Sequence, residues 1–132
     1  MSLNRLQRVQ DSAARVVMDA HRRTDAKPLL RQLHWLPVCQ RILFKMAVLT
    51  HKAHTTGTPT YLSQHLHQRT ATYSTCSSSL PLLTAPNPST VFACRAFNYT
   101  APTTWNSLPA DILTCDSESG FKQLIDSFTV PL

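Results

Sequence analysis

The sequence has few glycines, few charges and no long apolar run. Only two of its 132 residues are glycine, which leaves no room for a glycine-rich phosphate loop or a dinucleotide-binding fingerprint. No stretch of about 18 residues is apolar throughout, so the sequence offers no candidate transmembrane helix. The first residues are polar and lack the apolar core of a secretory signal. We therefore expect an intracellular protein, cytoplasmic or nuclear, that has no membrane partner.

Signatures of catalysis and metal binding are sparse as well. No two of the four cysteines lie within four residues of each other, so no zinc knuckle is present, and we expect free thiols at Cys39, Cys76, Cys94 and Cys115. The closest acidic couple, Asp116 and Glu118, precedes a predicted helix, where carboxylates stabilise the helix N-terminus. No Asp-Asp pair suggests a two-metal centre, and no Gly-x-Ser-x-Gly motif marks a nucleophile. The sequence thus predicts no enzymatic activity, no cofactor and no small-molecule substrate.

Four histidines leave a zinc site open as an alternative. His51 and His54 are three residues apart on a predicted helix, and His65 and His67 follow it. Two imidazoles on one helical turn can form half of a zinc site. No carboxylate or thiolate lies nearby in the sequence to complete or orient the set. We therefore favour solvated surface histidines that bind no metal.

Positive charge is concentrated in the first part of the chain. The 13 Lys and Arg outnumber the 7 Asp and Glu, which gives a net charge of +6. Residues 1–56 alone carry ten basic and three acidic side chains, whereas residues 57–132 carry three basic and four acidic ones. A basic half beside a nearly neutral half suggests an anionic partner. Nucleic acid is the first candidate, ahead of an anionic membrane surface; the alternative is a solvated helical surface.

Apolar periodicity predicts a mostly α fold, a small helical domain with room for a short β-hairpin in its second half. The predicted helices cover residues 3–20, a short segment capped by Thr24 or Asp25, about 37–54, 101–108, and about 119–129. Residues 60–66 could add one or two helical turns, and the type of residues 91–97 stays open. The residues expected in the core are Leu6, Val9, Ala13, Leu33, Trp35, Ile42, Met46, Leu49, Phe97, Trp105, Leu108, Phe121 and Leu124.

The domain organisation follows from a change in composition. Residues 1–66 form a basic half of three to four helices, and residues 67–90 are rich in Ser, Thr and Pro, which predicts a loop. Residues 91–132 form a small neutral half that ends in a helix. Because each half is small, we expect the two to pack together as one domain.

Six blocks of sequence follow one another in a characteristic order. Leu6 to Val17 is similar to an LQ-x-x-QN-x-AAR segment, and Leu30 to Val38 to an L-x-x-LHWLPV block. The remaining blocks are Gln40–Lys45 (QRI-x-FK), Pro59–Leu62 (P-x-YL), the segment from Arg95 to Pro109 (R-x-F, AP-x-x-WN-x-LP) and Ser119–Lys122 with Leu124. Together these blocks cover nearly the whole chain, and they resemble the carboxy-terminal region of LINE-type, non-LTR retrotransposon reverse transcriptases.

This resemblance implies a segment downstream of the polymerase palm, whose metal-binding aspartates have no equivalent here. It therefore implies a catalytically silent fragment, with the upstream polymerase domain as its neighbour in the parent polyprotein. A basic helical element in that place would hold RNA or an RNA–DNA hybrid by its phosphates, without reading sequence. The candidates for these phosphate contacts are Arg5, Arg8, Arg15, Arg41, Lys45 and Lys52.

Two positions depart from the family pattern, and a second function stays open. Asp11 stands where the family usually has Asn, and Cys39 stands where many members carry a basic residue. Both departures make the surface less positive. The alternative function is a small helical scaffold that binds protein, or a relic without function that binds no nucleic acid.

Overall fold

A computed structural model describes residues 3–70 and 79–129, and these residues are mostly helical, as the apolar periodicity predicts. Within them, the α-helices are α1 (Leu3–Val17), α2 (Ala26–Gln32), α3 (Val38–Thr56), α4 (Thr60–Ser63), α5 (Phe97–Asn106), α6 (Ala110–Leu113) and α7 (Glu118–Thr129). A 3-10 turn covers Ala93–Arg95. No helix in the described part of the chain has both the length and the apolar character needed to cross a membrane.

The described residues divide into two compact units. The first unit ends at Leu43 and the second begins at Phe44, so α3 contributes residues to both. The sequence places its candidate boundary elsewhere, in the loop 67–90. The packing of residues 91–132 on residues 1–66 stays a prediction.

Two glutamine side chains fasten α1 to the chain that follows α2 in the first unit. The Gln10 side-chain amide donates to the carbonyl oxygen of Leu36 at 2.8 Å. The Val38 backbone N–H donates to Oε1 of Gln7 at 2.9 Å. Both bonds join residues more than 25 positions apart in the sequence. They therefore hold the start of α3 against α1.

A small apolar cluster forms the core of the first unit. Ala14 of α1 is fully buried against Leu29 and Leu30 of α2, and Leu33 and Trp35 cover the cluster from the side. Because the Ala14 side chain is small, α1 and α2 can approach each other closely at this position. The Asp25 side chain accepts from the Lys27 N–H and caps α2, as expected.

The scarcity of glycine is visible at the ends of α1 and α2. Both helices end with a residue of positive φ that is not glycine, Asp19 (φ 48°) after α1 and His34 (φ 53°) after α2. The Trp35 N–H donates to the carbonyl of Leu30, and the His34 N–H to that of Arg31, which is the Schellman pattern. In most helices a glycine takes the left-handed position, because a Cβ atom is strained there.

Replacing His34 by glycine is therefore expected to raise the free energy of unfolding by up to about 1 kcal/mol, by relieving the left-handed strain. Thermal denaturation followed by circular dichroism measures the change. The matched control is His21→Gly, because the exposed His21 has no positive φ. An equal gain in both variants would contradict the strain argument.

The third helix ends at the predicted stop. Gly57 follows Thr56 with φ 65°, the left-handed conformation in which glycine is favoured. The short helix α4 then covers Thr60–Ser63, within the range predicted for an additional turn.

The core of the second unit is built around Trp105 and Phe121. Both side chains are fully buried, and their rings stack with centroids 5.8 Å apart. The other buried members of this cluster are Ala47, Leu83, Leu108, Ile112, Leu113 and Ile125. Burial of apolar area is the main stabilising contribution to such a unit.

Trp105 and Asn106 of α5 hold the extended residues 81–83. The Trp105 indole N–H donates to the carbonyl of Pro81 at 2.7 Å. The Asn106 side chain bonds to Leu83 twice, accepting from its N–H at 2.9 Å and donating to its carbonyl at 2.8 Å. Where the sequence left room for a hairpin, the described residues show one antiparallel bridge, between Gln68 and Leu83.

Helix α5 begins earlier than the sequence predicts. It starts at Phe97, four residues before the predicted start at Ala101, and Pro102 lies inside it. A proline within a helix loses one backbone hydrogen bond, but the Pro102 ring is fully buried, which compensates in part. The last helix agrees better with prediction, since the Ser117 hydroxyl accepts from the Gly120 N–H and caps α7.

The predicted core is right in part: three of its thirteen residues are buried, six are half-buried and four are exposed. Trp105, Leu108 and Phe121 are buried as expected, but Leu6, Val9, Ile42 and Leu124 are exposed. The periodicity identifies the apolar side of α1 correctly, yet this helix packs on α2 through Ala14 and is bonded to Leu36 and Val38 through its two glutamines. Leu6 and Val9 on that apolar side are thus open to solvent.

Some predictions fall outside the described residues. These are the middle of the Ser/Thr-rich loop, residues 71–78 with Cys76, and the residues after Thr129. Of the other cysteines, Cys39 and Cys94 are exposed and Cys115 is half-buried, and all three are free thiols.

Candidate nucleic-acid interface

Three of the six predicted phosphate contacts lie on one side of α1. Arg5, Arg8 and Arg15 are spaced by three and seven residues, which places them within an arc of about 80° around the helix axis. Arg5 and Arg8 are exposed, whereas Arg15 is half-buried. The Arg15 Nε–H donates to the carbonyl of Thr24 at 2.9 Å, so this guanidinium is held in place.

The ion pairs expected along α1 do not form among the described residues. The sequence suggests Arg8 with Asp11 and Arg15 with Asp19. Instead, the Asp11 carboxylate accepts from the Gln7 amide at 2.8 Å, and Arg15 bonds to the Thr24 carbonyl. Asp19 lies beyond the end of α1 at positive φ. The positive charge of Arg8 is therefore not neutralised by the nearest carboxylate in sequence.

The other three predicted contacts lie on α3. Arg41 belongs to the first unit, where one of its guanidinium nitrogens lies 3.5 Å from the carbonyl oxygen of Leu36. Lys45 and Lys52 belong to the second unit. All three side chains are exposed, and Lys45 and Lys52 are seven residues apart, so they point to the same side of the helix.

The charge of Lys52 is partly offset by an acidic neighbour. Glu118 accepts a hydrogen bond from Lys122 at 2.6 Å. This bond and the Lys122 charge lower the pKa of the Glu118 carboxyl, and Lys52 adds to the lowering from further away. The main partner of Glu118 is Lys122, and Lys52 is the lesser of the two lysines acting on this carboxyl.

Sequence analysis missed one basic residue beside the α1 set. Arg22 lines an open depression of about 530 Å³ together with Ser12, Arg15, Val16, Asp19 and Ala20. Two arginines beside one depression form a stronger anion contact than either alone. The signal in the sequence is the Arg22-Arg23 pair directly after the predicted helix 3–20.

The prediction of solvated histidines is wrong for His51. Its ring is 2% exposed and stacks on Phe121, with the ring centroids 4.2 Å apart. The Nε2–H donates to the carbonyl of Cys115 at 3.0 Å, while Nδ1 is buried and has no hydrogen-bond partner among the described residues. A histidine near the predicted end of a helix looks exposed in the sequence, but Phe121 of α7 covers this one.

His54 lies at the edge of the same cluster. Its ring centroid is 5.7 Å from that of Trp105, and the Gln68 amide N–H donates to its Nε2 at 3.2 Å. Partial burial, together with the nearness of His51, lowers the pKa of His54 from the ordinary value of 6.5. The bond from Gln68 acts in the same direction, because a protonated Nε2 cannot accept it.

Stability is expected to fall with acidification because of His54. In the unfolded chain this imidazole takes up a proton near its ordinary pKa of 6.5, whereas in the folded chain it does so only at lower pH. The unfolded state therefore binds more protons, and the free energy of unfolding decreases as pH falls below 6.5 through the lowered pKa. Urea denaturation between pH 7.5 and 5 measures the decrease.

The matched variants are His54→Gln and His65→Gln, since His65 is exposed. We expect His54→Gln to flatten the pH dependence and His65→Gln to leave it unchanged. An unaltered pH dependence in His54→Gln would contradict this assignment.

The histidines do not assemble a metal centre in the described residues. No three His, Cys, Asp or Glu side chains lie close enough there to hold a metal ion. This leaves His51 and His54 as parts of an aromatic cluster in the second unit.

Comparison with known proteins adds no relative. No family model, no curated protein and no solved structure matches this chain.

Proposed function

We propose that this chain is a catalytically silent carboxy-terminal segment of a non-LTR retrotransposon reverse transcriptase that binds RNA or an RNA–DNA hybrid by the phosphate backbone. Binding would be non-specific and intracellular, in the cytoplasm or the nucleus. The proposal rests on the six blocks that resemble this family and on the arrangement of charge on α1. The upstream polymerase domain would be its neighbour in the parent polyprotein.

The observation that carries the proposal is the basic side of α1. Arg5 and Arg8 are exposed, and the bond to Thr24 holds Arg15 beside them. Guanidinium groups along one helix face can contact successive phosphates of one strand. Such a row of arginines attracts the phosphate backbone of a nucleic acid. It supplies no group that would distinguish one base from another.

Neutralising α1 is expected to weaken binding and its salt dependence together. Each lost phosphate contact makes the slope of log K against log salt shallower by about 0.7 to 0.9. The variant Arg5→Gln/Arg8→Gln should therefore reduce the slope by about 1.5. Fluorescence anisotropy with a labelled RNA–DNA hybrid and a labelled single-stranded RNA, between about 50 and 200 mM salt, measures both effects.

The matched control is Arg69→Gln/Arg95→Gln. Both arginines are exposed and lie outside the predicted set, and this variant changes the net charge by the same amount. We expect it to retain most of the affinity. Equal losses in the two variants would show a diffuse charge effect instead of a site on α1, and no binding of the unaltered chain at about 50 mM salt would overturn the nucleic-acid function.

A second pair tests the contribution of α3. Arg41→Gln/Lys45→Gln should also reduce the salt slope, since both side chains are exposed. If this variant behaves like the control, the binding residues are confined to α1.

A further inference from the structure

The apolar side of α1 is the largest feature of the first unit that neither its core nor phosphate binding explains. Val9 is 68% exposed, Val16 79% and Val17 59%. Leu3 and Leu6 continue the same surface at 44% and 40%. Single exposed apolar residues are ordinary, but this set extends over the full length of the helix.

Helical geometry makes these five side chains one continuous face. At 100° per residue they fall within an arc of about 140°, as wide as the apolar side of a helix that packs into a core. Ala14, the buried residue of α1, lies outside this arc and packs on α2. Gln10, which bonds to Leu36, lies at the Leu3 edge of this arc, so α1 is held to its own unit on that edge and presents the Val9 and Val16 side of the arc to solvent. We name the five residues the α1 apolar face.

The charges beside this face favour an acidic occupant. Around the helix axis, Arg5 lies next to Val16 and Val9, and Arg8 lies on the other side of Arg5, further from the α1 apolar face. Arg22 lines the same depression as Val16. The carboxylate of Asp11 accepts a bond from Gln7 on the far side, whereas Asp19 lines the depression and offsets part of this positive edge.

We propose that the α1 apolar face docks an amphipathic helix of another protein, one whose apolar ridge is flanked by Asp and Glu side chains. The apolar ridge would bury Val9 and Val16, and the acidic flank would meet Arg5 and Arg22. A second copy of this chain fits less well, because it carries a net charge of +6 and would bring the same arginine edge to the interface. This inference does not depend on nucleic-acid binding.

The test uses designed helical peptides of about 20 residues and the full chain. The probe peptide has Leu at helical core spacing and Glu at the flanking positions. One control peptide has the same composition in scrambled order, and a second has Lys in place of Glu. Two-dimensional amide NMR during titration to about 1 mM peptide detects weak binding and locates it on the chain.

The expected result is a set of shifts confined to α1 that only the Leu/Glu peptide produces. The variant Val9→Gln/Val16→Gln should weaken this binding by about tenfold or more, which corresponds to about 1.4 kcal/mol. Glutamine is neutral and favours helices, so the substitutions remove the apolar contact without adding charge. Asn4→Gln, an exposed position outside the α1 apolar face, should bind the peptide as the unaltered chain does.

Three outcomes would overturn the proposal. The first is the absence of shifts at about 1 mM of the Leu/Glu peptide, or equal shifts with the scrambled one. The second is a concentration-dependent dimer whose own shifts map to Val9 and Val16, which would make a second copy the occupant. The third is cosedimentation with phosphatidylserine vesicles that Val9→Gln/Val16→Gln abolishes, without peptide binding, which would make a lipid surface the occupant.

Discussion

Replacing Trp105 by alanine is expected to lower the free energy of unfolding of this protein by about 3 to 5 kcal/mol. The indole is fully buried, stacks on Phe121 and donates to the carbonyl of Pro81. Its removal leaves a cavity at the centre of the second unit and an unsatisfied carbonyl on the segment 81–83. Because small domains have only about 5 to 15 kcal/mol of stability in total, much of the second unit is expected to unfold.

Two further variants separate the contribution of the buried apolar volume from that of the hydrogen bond to Pro81. Trp105→Phe keeps most of the apolar volume but removes the hydrogen bond to Pro81, so we expect a loss of about 1 to 3 kcal/mol. Phe92→Ala removes an aromatic ring that is 83% exposed, so we expect a change within about 0.5 kcal/mol. Urea denaturation followed by circular dichroism measures all three. Similar losses for Phe92→Ala and Trp105→Ala would contradict the described core.

Replacing Leu30 by alanine is expected to cost about 2 to 5 kcal/mol in the first unit. Leu30 is 4% exposed and packs with Ala14 and Leu29, with Trp35 at the edge of the cluster. Truncation of Leu30 leaves a cavity. Because the cluster has few members, few side chains are available to move into that cavity. The fluorescence of Trp35 during urea denaturation of the Trp105→Phe background, which leaves Trp35 as the remaining tryptophan, reports the loss directly.

The control for Leu30 is Val16→Ala. The sequence pattern assigns Val16 to the apolar stripe of α1, but its side chain is 79% exposed, so truncation is expected to change stability by less than about 0.5 kcal/mol. If Val16→Ala proves as destabilising as Leu30→Ala, the α1 apolar face is covered in the folded chain, and both the packing described for α1 and the proposed docking surface are wrong.

The residues that carry the resemblance have clear structural roles in this chain. Gln7 and Gln10, from the first block, bond to Val38 and Leu36 of the second. Asn106, from the WN-x-LP block, holds Leu83 by two hydrogen bonds. In this chain these residues of the quoted blocks therefore serve the packing of the helices, whereas the proposed nucleic-acid function depends on the arginines.

The sequence determined the local structure well, because helix signals are local. The apolar periodicity of α1 and α7, the Asp25 and Ser117 caps and the Gly57 stop each depend on residues within one or two turns. The start of α5 was misjudged because proline is usually an early helix residue, and burial of the Pro102 ring was not visible in the sequence. The basic side of α1 could also be predicted, since it follows from helical spacing alone.

Only the tertiary structure decided which surfaces are covered. Periodicity shows that one side of α1 is apolar, but the packing of Ala14 on α2 and the bonds of Gln7 and Gln10 to Val38 and Leu36 leave Val9 and Val16 exposed. These partners lie far along the chain, so local periodicity does not show them. In the same way, His51 is buried because Phe121 of α7 and the carbonyl of Cys115, between α6 and α7, lie against it. The sequence by itself therefore determined the helices and their charge, and the long-range contacts determined the core, the buried histidine and the exposed apolar face.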